Sequence, residues 1–278
     1  MTAKIIDGKK LSEKVLENIK KKVKEAEKKP GLAIVLVGDN PASQIYVGFK
    51  EKRSKEIGFY CERYDLSKNT KELDLLNLID DLNQKQNIHG IIVQLPLPKH
   101  INENLIIDAV LPHKDVDGFT PVNLGNLVND NNMIVPATAR ACIELIKSTG
   151  QKIEGKNAVI IGRSKIVGKP VSLLLLQENA TVTVCHSKTK NLAEHTKNAD
   201  ILVVAVGRAK LIKKNMLKKN AIIIDVGINR TLSGLVGDVD FEAVKEVAGY
   251  ITPVPGGVGP MTIAMLLDNT LKAMDILR

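Results

Sequence analysis

The chain is short of the residues that mark several protein classes. It has no Trp, and only four Tyr and four Phe among 278 residues. That leaves few aromatic platforms for stacking nucleic-acid bases. Its three cysteines, Cys61, Cys142 and Cys185, are odd in number, widely spaced and form no CxxC pair. Neither a disulfide framework nor a metal site is expected from them. No stretch reaches the roughly 18 uninterrupted apolar residues that span a bilayer. The start, MTAKIIDGKKLSEKV, lacks an apolar core of signal-peptide length. The expectation is a cytoplasmic protein with no membrane and no nucleic-acid partner.

What is present is globular in composition: 44% hydrophobic and 26% charged residues. At roughly 150 residues per domain, this length suggests two domains. The formal charge of +9 keeps a nucleic-acid reading open. Much of the surplus sits in residues 1–29, where ten Lys face five acidic residues, and a solvated helix face accounts for that run better.

Strand-like apolar runs alternate with amphipathic runs along the chain, the pattern of a parallel sheet covered by helices. Helices are expected over 12–29, 43–57, 72–83, 102–110 and 138–148, and strands over 32–37, 59–66 and 90–95. The segment 112–136 is full of turn residues and reads as a long loop, a feature that usually carries function. Beyond it, strands are expected over 157–161, 181–185, 201–206 and 221–226. Helices are expected over 168–178, 191–197 and 261–277, with a short one after Asp240.

Residues 157–176, NAVIIGRSKIVGKPVSLLLL, read as strand, tight glycine turn and helix. Such a turn presents helix N–H groups to a pyrophosphate. Gly162 and Gly168 are six apart, so the spacing is not GxGxxG. An NAD site normally ends its second strand in a carboxylate that binds the ribose hydroxyls. Here that strand ends in Cys185-His186-Ser187-Lys188. Arg163 with Ser187 and His186 suits a 2′-phosphate, which favours NADP, with solvated loop charges as the lesser reading of Arg163 and Lys188.

In DNPASQIYVGFKEK (39–52), Tyr46 and Lys50 lie four apart on one helix face. A desolvated lysine beside a phenol can serve as a general acid or base, but the spacing alone is common on helices. GIIVQLPLP (90–98) places Gln94 at the carboxyl end of an apolar strand, where open α/β sheets put ligand groups. Asp115 and Asp117 in PHKDVDGF are either turn residues or carboxylates for the paired N–H donors of an aminopyrimidine edge. PVPGGVGPMT (253–262) would form a backbone-rich wall that a ligand can approach closely.

Together with IIGRSKIVGKP, VCHSKT and IDVGIN, these stretches resemble the bifunctional methylenetetrahydrofolate dehydrogenase/cyclohydrolase family, in family order from Asp39 to Thr262. The resemblance implies an α/β fold of two domains with a cleft between them. An N-terminal catalytic domain would span 1–138, with helix 262–278 returning to it, and a Rossmann-like NADP-binding domain would span 139–261. It implies Lys50, Tyr46 and Gln94 as catalytic residues that also bind substrate, with Asp117, Gly257 and Pro260 as further contacts to tetrahydrofolate derivatives. Gly162, Arg163, Ser164, His186, Ser187 and Ile228 would bind NADP, no metal is implied, and the assembly would be a homodimer. The family usually reads PCTP where this chain has Pro136-Ala137-Thr138-Ala139, which would leave that helix start less rigid. A shikimate-dehydrogenase-like NADP oxidoreductase is the alternative. It would leave Tyr46, Lys50, Gln94 and Asp117 without a shared reason.

Overall fold

The computed structural model describes residues 2–232 and 234–277. The first half runs β1 (Lys4–Ile5), α1 (Gly8–Glu25), β2 (Gly31–Val37), α2 (Pro41–Glu56), β3 (Tyr60–Leu66) and α3 (Glu72–Gln84). Then come β4 (Gly90–Val93), α4 (Glu103–Ala109), α5 (Pro121–Val128) and α6 (Ala137–Lys147). The second half runs β5 (Asn157–Ile161), α7 (Gly168–Gln177), β6 (Thr181–Cys185), α8 (Leu192–Thr196), β7 (Ile201–Val204) and β8 (Ile222–Asp225). It ends with β9 (Asn229–Thr231), β10 (Gly234–Val236), α9 (Phe241–Val244), β11 (Tyr250–Ile251) and α10 (Val258–Ile276).

The chain divides into two compact units. One comprises Lys14–Ala137 and Ile263–Arg278; the other comprises Met1–Glu13 and Thr138–Thr262. The described residues up to Glu13, which the sequence reading placed with the first domain, therefore group with the second. The reason is β1, only two residues long, which pairs parallel with β11 through Lys4–Tyr250 and Ile5–Ile251. Two residues are too few for a periodic signal.

The first unit holds a parallel three-stranded sheet in the order β3-β2-β4. Its central strand, GLAIVLV, is buried at every position, as a parallel strand covered on both faces must be. Ala33, Val35 and Val37 pack with Leu75, Ile79 and Leu82 of α3 and Ile106 of α4. Each Val, Leu or Ile among them contributes about 1.5–3 kcal/mol on burial. Helix α2 starts two residues before the expected 43, because Asn40 Oδ1 accepts from the N–H groups of Ala42 and Ser43 while Pro41 opens the helix. The buried positions of α1 are Gly8, Ser12, Leu16, Ile19 and Val23, with Val15 only half-buried.

The long loop expected over 112–136 contains a helix, α5. Thr120 caps it and Pro121 opens it. Only Asn123 and Leu127 of α5 are buried, so two helical turns leave no sustained hydrophobic period to read. Helix α6 begins at Ala137 directly after Pro136, with Ala137 and Ala139 both buried.

The second unit carries a parallel six-stranded sheet in the order β1-β11-β8-β7-β5-β6. Its core gathers Val159, Ile161, Leu202, Val204, Ile223 and Ile251. β9 and β10 form a separate antiparallel pair. These short, mostly exposed strands were not legible in the sequence, nor were β1 and β11, which are only two residues long each.

Candidate active site and cofactor-binding elements

In the first unit, α2 projects Tyr46 and Lys50 from successive turns. Lys50 is buried, with 8% of its surface exposed. Its ammonium donates to Gln94 Oε1 at 3.1 Å, the one hydrogen bond it makes within the described residues. Gln94 leaves β4 with its own N–H bound to Val35 O at 2.8 Å. Its Nε2 donates to Leu95 O at 2.7 Å, which turns Oε1 towards Lys50. A lysine ammonium has three donors, so two remain for a ligand or water.

Lys114 is the contrasting buried lysine of the same unit. Its ammonium donates to the carbonyls of Leu82, Asn83 and Lys85 at 3.2, 2.7 and 2.8 Å, closing the end of α3. All three donors are spent, and burial pulls its pKa below the usual lysine value.

The two aspartates of KDVDGF have separate tasks. Asp115 is buried and accepts from Gly118 N (2.9 Å), Thr120 N (2.7 Å) and Asn123 Nδ2 (2.9 Å), which shapes the turn. A bridge between Ile91 and Asp115 lays this segment along β4. Asp117 is half-buried, and its carboxylate accepts no hydrogen bond within the described residues. Burial pushes its pKa above the usual carboxylate range; the Lys50 charge pulls it back, and Asp115 adds to the rise. Lys50, Gln94 and Asp117 thus come together, with Tyr46 one helical turn from Lys50. Sequence reasoning missed Asn269 of α10, a buried residue whose Nδ2 donates to Val116 O and Val135 O, both at 2.9 Å. It pins the backbone beside Asp117, and the 153 residues separating Asn269 from Val116 hide that relation.

In the second unit, parallel register aligns the carboxyl ends of four strands: Cys185 pairs with Ile161, Ile161 with Val204, and Val204 with Asp225. Arg163 and Ser187 each lie two residues past a paired end on neighbouring strands, and both are exposed. The glycines of the turn are required by close approach. A Cβ on Gly162 would lie 2.3 Å from Ala205 O, and one on Gly168 would lie 2.1 Å from Gly162 O. Ser164 Oγ accepts from the N–H groups of Val167 (3.1 Å) and Gly168 (3.3 Å), and Ser164 O accepts from Lys169 N (3.0 Å). These first N–H groups of α7 therefore already have partners, and Pro170 has none to give. The helix N-terminus offers less to a phosphate than the sequence pattern implied. His186 is held in its own turn, where Nδ1 accepts from Lys188 N at 3.1 Å and its N–H donates to Thr189 Oγ1 at 2.9 Å. Ile228 is 44% exposed in the turn after β8. Gly257 and Pro260 belong to this second unit, on either side of the start of α10, and not to the unit of Lys50.

A buried carboxylate pair here went unread in the sequence. Asp225 accepts from Gly227 N (3.1 Å), Asp238 N (2.9 Å) and Val239 N (2.9 Å). Asp238 accepts from Val206 N (2.7 Å), Gly207 N (2.9 Å), Arg208 N (2.7 Å) and Asn229 Nδ2 (2.9 Å). Burial pushes Asp225 up to about 7; the N–H groups of Val239 and Asp238 oppose the rise and the Asp238 charge adds to it. The signal available in sequence was the pair of Asp/Gly clusters in IDVGIN and VGDVD, which nothing local connects.

Among the described residues no cluster of His, Cys, Asp or Glu could hold a metal ion, and no helix is long and apolar enough to cross a membrane. A family model described as tetrahydrofolate dehydrogenase/cyclohydrolase, catalytic domain, matches residues 6–117. A second, described as tetrahydrofolate dehydrogenase/cyclohydrolase, NAD(P)-binding domain, matches residues 136–277. The chain is 59% identical over 273 residues to the bifunctional protein FolD of Listeria innocua, covering 97% of this chain and 96% of that one. Among solved structures, the bifunctional FolD methylenetetrahydrofolate dehydrogenase/cyclohydrolase of Campylobacter jejuni superposes with a TM-score of 0.96 at 48% identity, covering 99% of each chain. The Trypanosoma brucei FolD, solved with NADP cofactor and an inhibitor, gives 0.95 at 38% identity over 99% of this chain and 98% of that one.

Proposed function

The chain belongs to the tetrahydrofolate dehydrogenase/cyclohydrolase family, and on that premise we propose that it oxidises 5,10-methylenetetrahydrofolate with NADP⁺ and hydrolyses the methenyl product to 10-formyltetrahydrofolate. The observation that carries the reading is the buried Lys50, bonded to Gln94 at 3.1 Å and within electrostatic reach of Asp117.

The residues fit the cofactor. Gly162 and Gly168 keep the turn after β5 free of side chains that would fill it. Arg163 and Ser187 would hold a 2′-phosphate at the ends of adjacent strands, and 185–188 contains no carboxylate to repel one. Bound there, NADP⁺ supplies a hydride acceptor. The cation left on the one-carbon bridge is stabilised by its two nitrogens, so this step needs positioning and no base.

Hydrolysis makes different demands. Water adds to the methenyl carbon, the attacking oxygen gives up both its protons in turn, and N5 takes one of them as its bond to that carbon breaks while the other is released to solvent. Lys50 has spare hydrogen-bond capacity to shuttle these protons, with Gln94 orienting its ammonium and Tyr46 on the same helix face. Asp117 offers two parallel acceptor oxygens to the pterin's paired N–H donors. Gly257 and Pro260 enter the reading as folate contacts, and Gly162, Ser164, His186 and Ile228 as cofactor contacts.

The test is a spectrophotometric assay of the purified chain with 5,10-methylenetetrahydrofolate, comparing NADP⁺ with NAD⁺. One portion is then acidified to convert 10-formyl product back to absorbing methenyl. NADPH formation with little methenyl before acid is expected. NADPH with persistent methenyl would remove the hydrolytic half, and no reduction of either cofactor would overturn the reading. The same reading carries a homodimer and a cytoplasmic location, tested by light scattering and cell fractionation.

A further inference from the structure

We infer that Asp225 and Asp238 are positioning residues for the cofactor. Together they hold the exposed Ile228 turn and the 206–208 loop in a single geometry at the carboxyl end of the six-stranded sheet before any ligand arrives. The inference rests on the NADP-binding reading above and adds residues that touch no ligand themselves.

The pair is interlocked. Asp225 Oδ1 accepts from the backbone N–H of Asp238, so each residue's place depends on the other. Their glycines are reciprocal. A Cβ on Gly237 would lie 1.8 Å from Asp225 Oδ2, and a Cβ on Gly227 would lie 2.2 Å from the Asp238 carboxylate. Only glycine at each position admits the opposing carboxylate. Ile228 is then clamped from both flanks: Gly227 N donates to Asp225 and Asn229 Nδ2 donates to Asp238. The remaining donors to Asp238, the N–H groups of Val206, Gly207 and Arg208, come from the loop after β7. Gly207 and Arg208 are themselves exposed, so without the carboxylate water would be their partner. Parallel register puts both loops past aligned strand ends, Val204 opposite Asp225. That is where open α/β sheets bind nucleotides. Two fully buried carboxylates are costly to fold around, and their acceptors are spent on loop geometry at a ligand-binding edge.

The test uses the full chain at pH 8, above the value of about 7 to which burial raises Asp225. Hydrogen exchange without cofactor comes first. The Gly207 and Arg208 amides are expected to exchange about a hundredfold slower than open loop amides. Free exchange that slows only when NADP⁺ is added would overturn pre-positioning, and this measurement needs no variant. Asp238→Asn then splits the kinetics. KM for NADP⁺ is expected to rise about tenfold, while kcat at saturating cofactor and KM for the folate stay within about threefold. An unchanged cofactor KM, or equal changes in all three constants, would overturn a positioning role. Wild type that reduces no cofactor would instead sink the functional reading, leaving the exchange result standing by itself.

Discussion

Both units bury charged side chains at the carboxyl ends of a parallel sheet, and they treat them in opposite ways. In the three-stranded unit, Lys50 has one hydrogen-bond partner for three donors. In the six-stranded unit, Asp225 and Asp238 are met by six backbone N–H groups and one side-chain amide. A buried charge whose bonds are all internal holds the backbone in place and has nothing left for a ligand. A buried charge left partly unmet costs stability and can bind or move protons. Lys114 provides the internal control: it is as buried as Lys50, yet saturated by three carbonyls.

That contrast can be broken most sharply by making one change at both lysines. Lys50→Met is expected to lower cyclohydrolase turnover by about 10²-fold or more while leaving hydride transfer measurable. Lys114→Met should do the reverse, unpairing three carbonyls at a cost of about 3 kcal/mol in denaturant unfolding with turnover of the folded fraction kept. If both variants lost turnover alike, saturation would not distinguish the two roles. Next in size is Asn269→Leu, which strands the carbonyls of Val116 and Val135. A loss of about 2 kcal/mol is expected, with a raised folate KM because Asp117 sits beside Val116. A stability loss with no KM change would separate Asn269 from the site.

The smallest effect is a pH dependence. Burial raises the Asp117 pKa, so its carboxylate takes up a proton at higher pH than an ordinary aspartate. Binding that needs the ionised form weakens as pH falls. KM for 5,10-methylenetetrahydrofolate should therefore rise as pH falls, beginning at a higher pH than an ordinary aspartate would give, whereas Asp117→Asn should show a high and flat KM. A flat wild-type profile would count against Asp117 as the pterin's acceptor.

Much of the second unit was readable because its signals are local. β5 and β6 fall at the expected residues, and α7 ends one residue short of expectation. Each is an apolar or amphipathic run of five to ten residues, enough to show its period. The site was readable as separate pieces: YVGFK, GIIVQLPLP and KDVDGF each suggested chemistry only weakly. Their resemblance to a known family joined them before any distance was known. α5 and β1 escaped because each is too short, or too exposed, to leave a period. The distinct tasks of Asp115 and Asp117 escaped because they depend on which carboxylate meets the N–H groups of Gly118 and Thr120.

By itself the sequence determined the alternation of strands and helices, the glycine turn after β5 and the residue types available for catalysis. These follow from hydrophobic period and backbone preference, which act over a few residues. The tertiary structure alone decided which buried charges are saturated and which are not. Lys50 finds Gln94 44 residues away, Lys114 finds its carbonyls about 30 residues away, and Asp225 finds Asp238 across 13. Desolvation and hydrogen-bond completion are properties of a packed neighbourhood, and a linear pattern does not contain them.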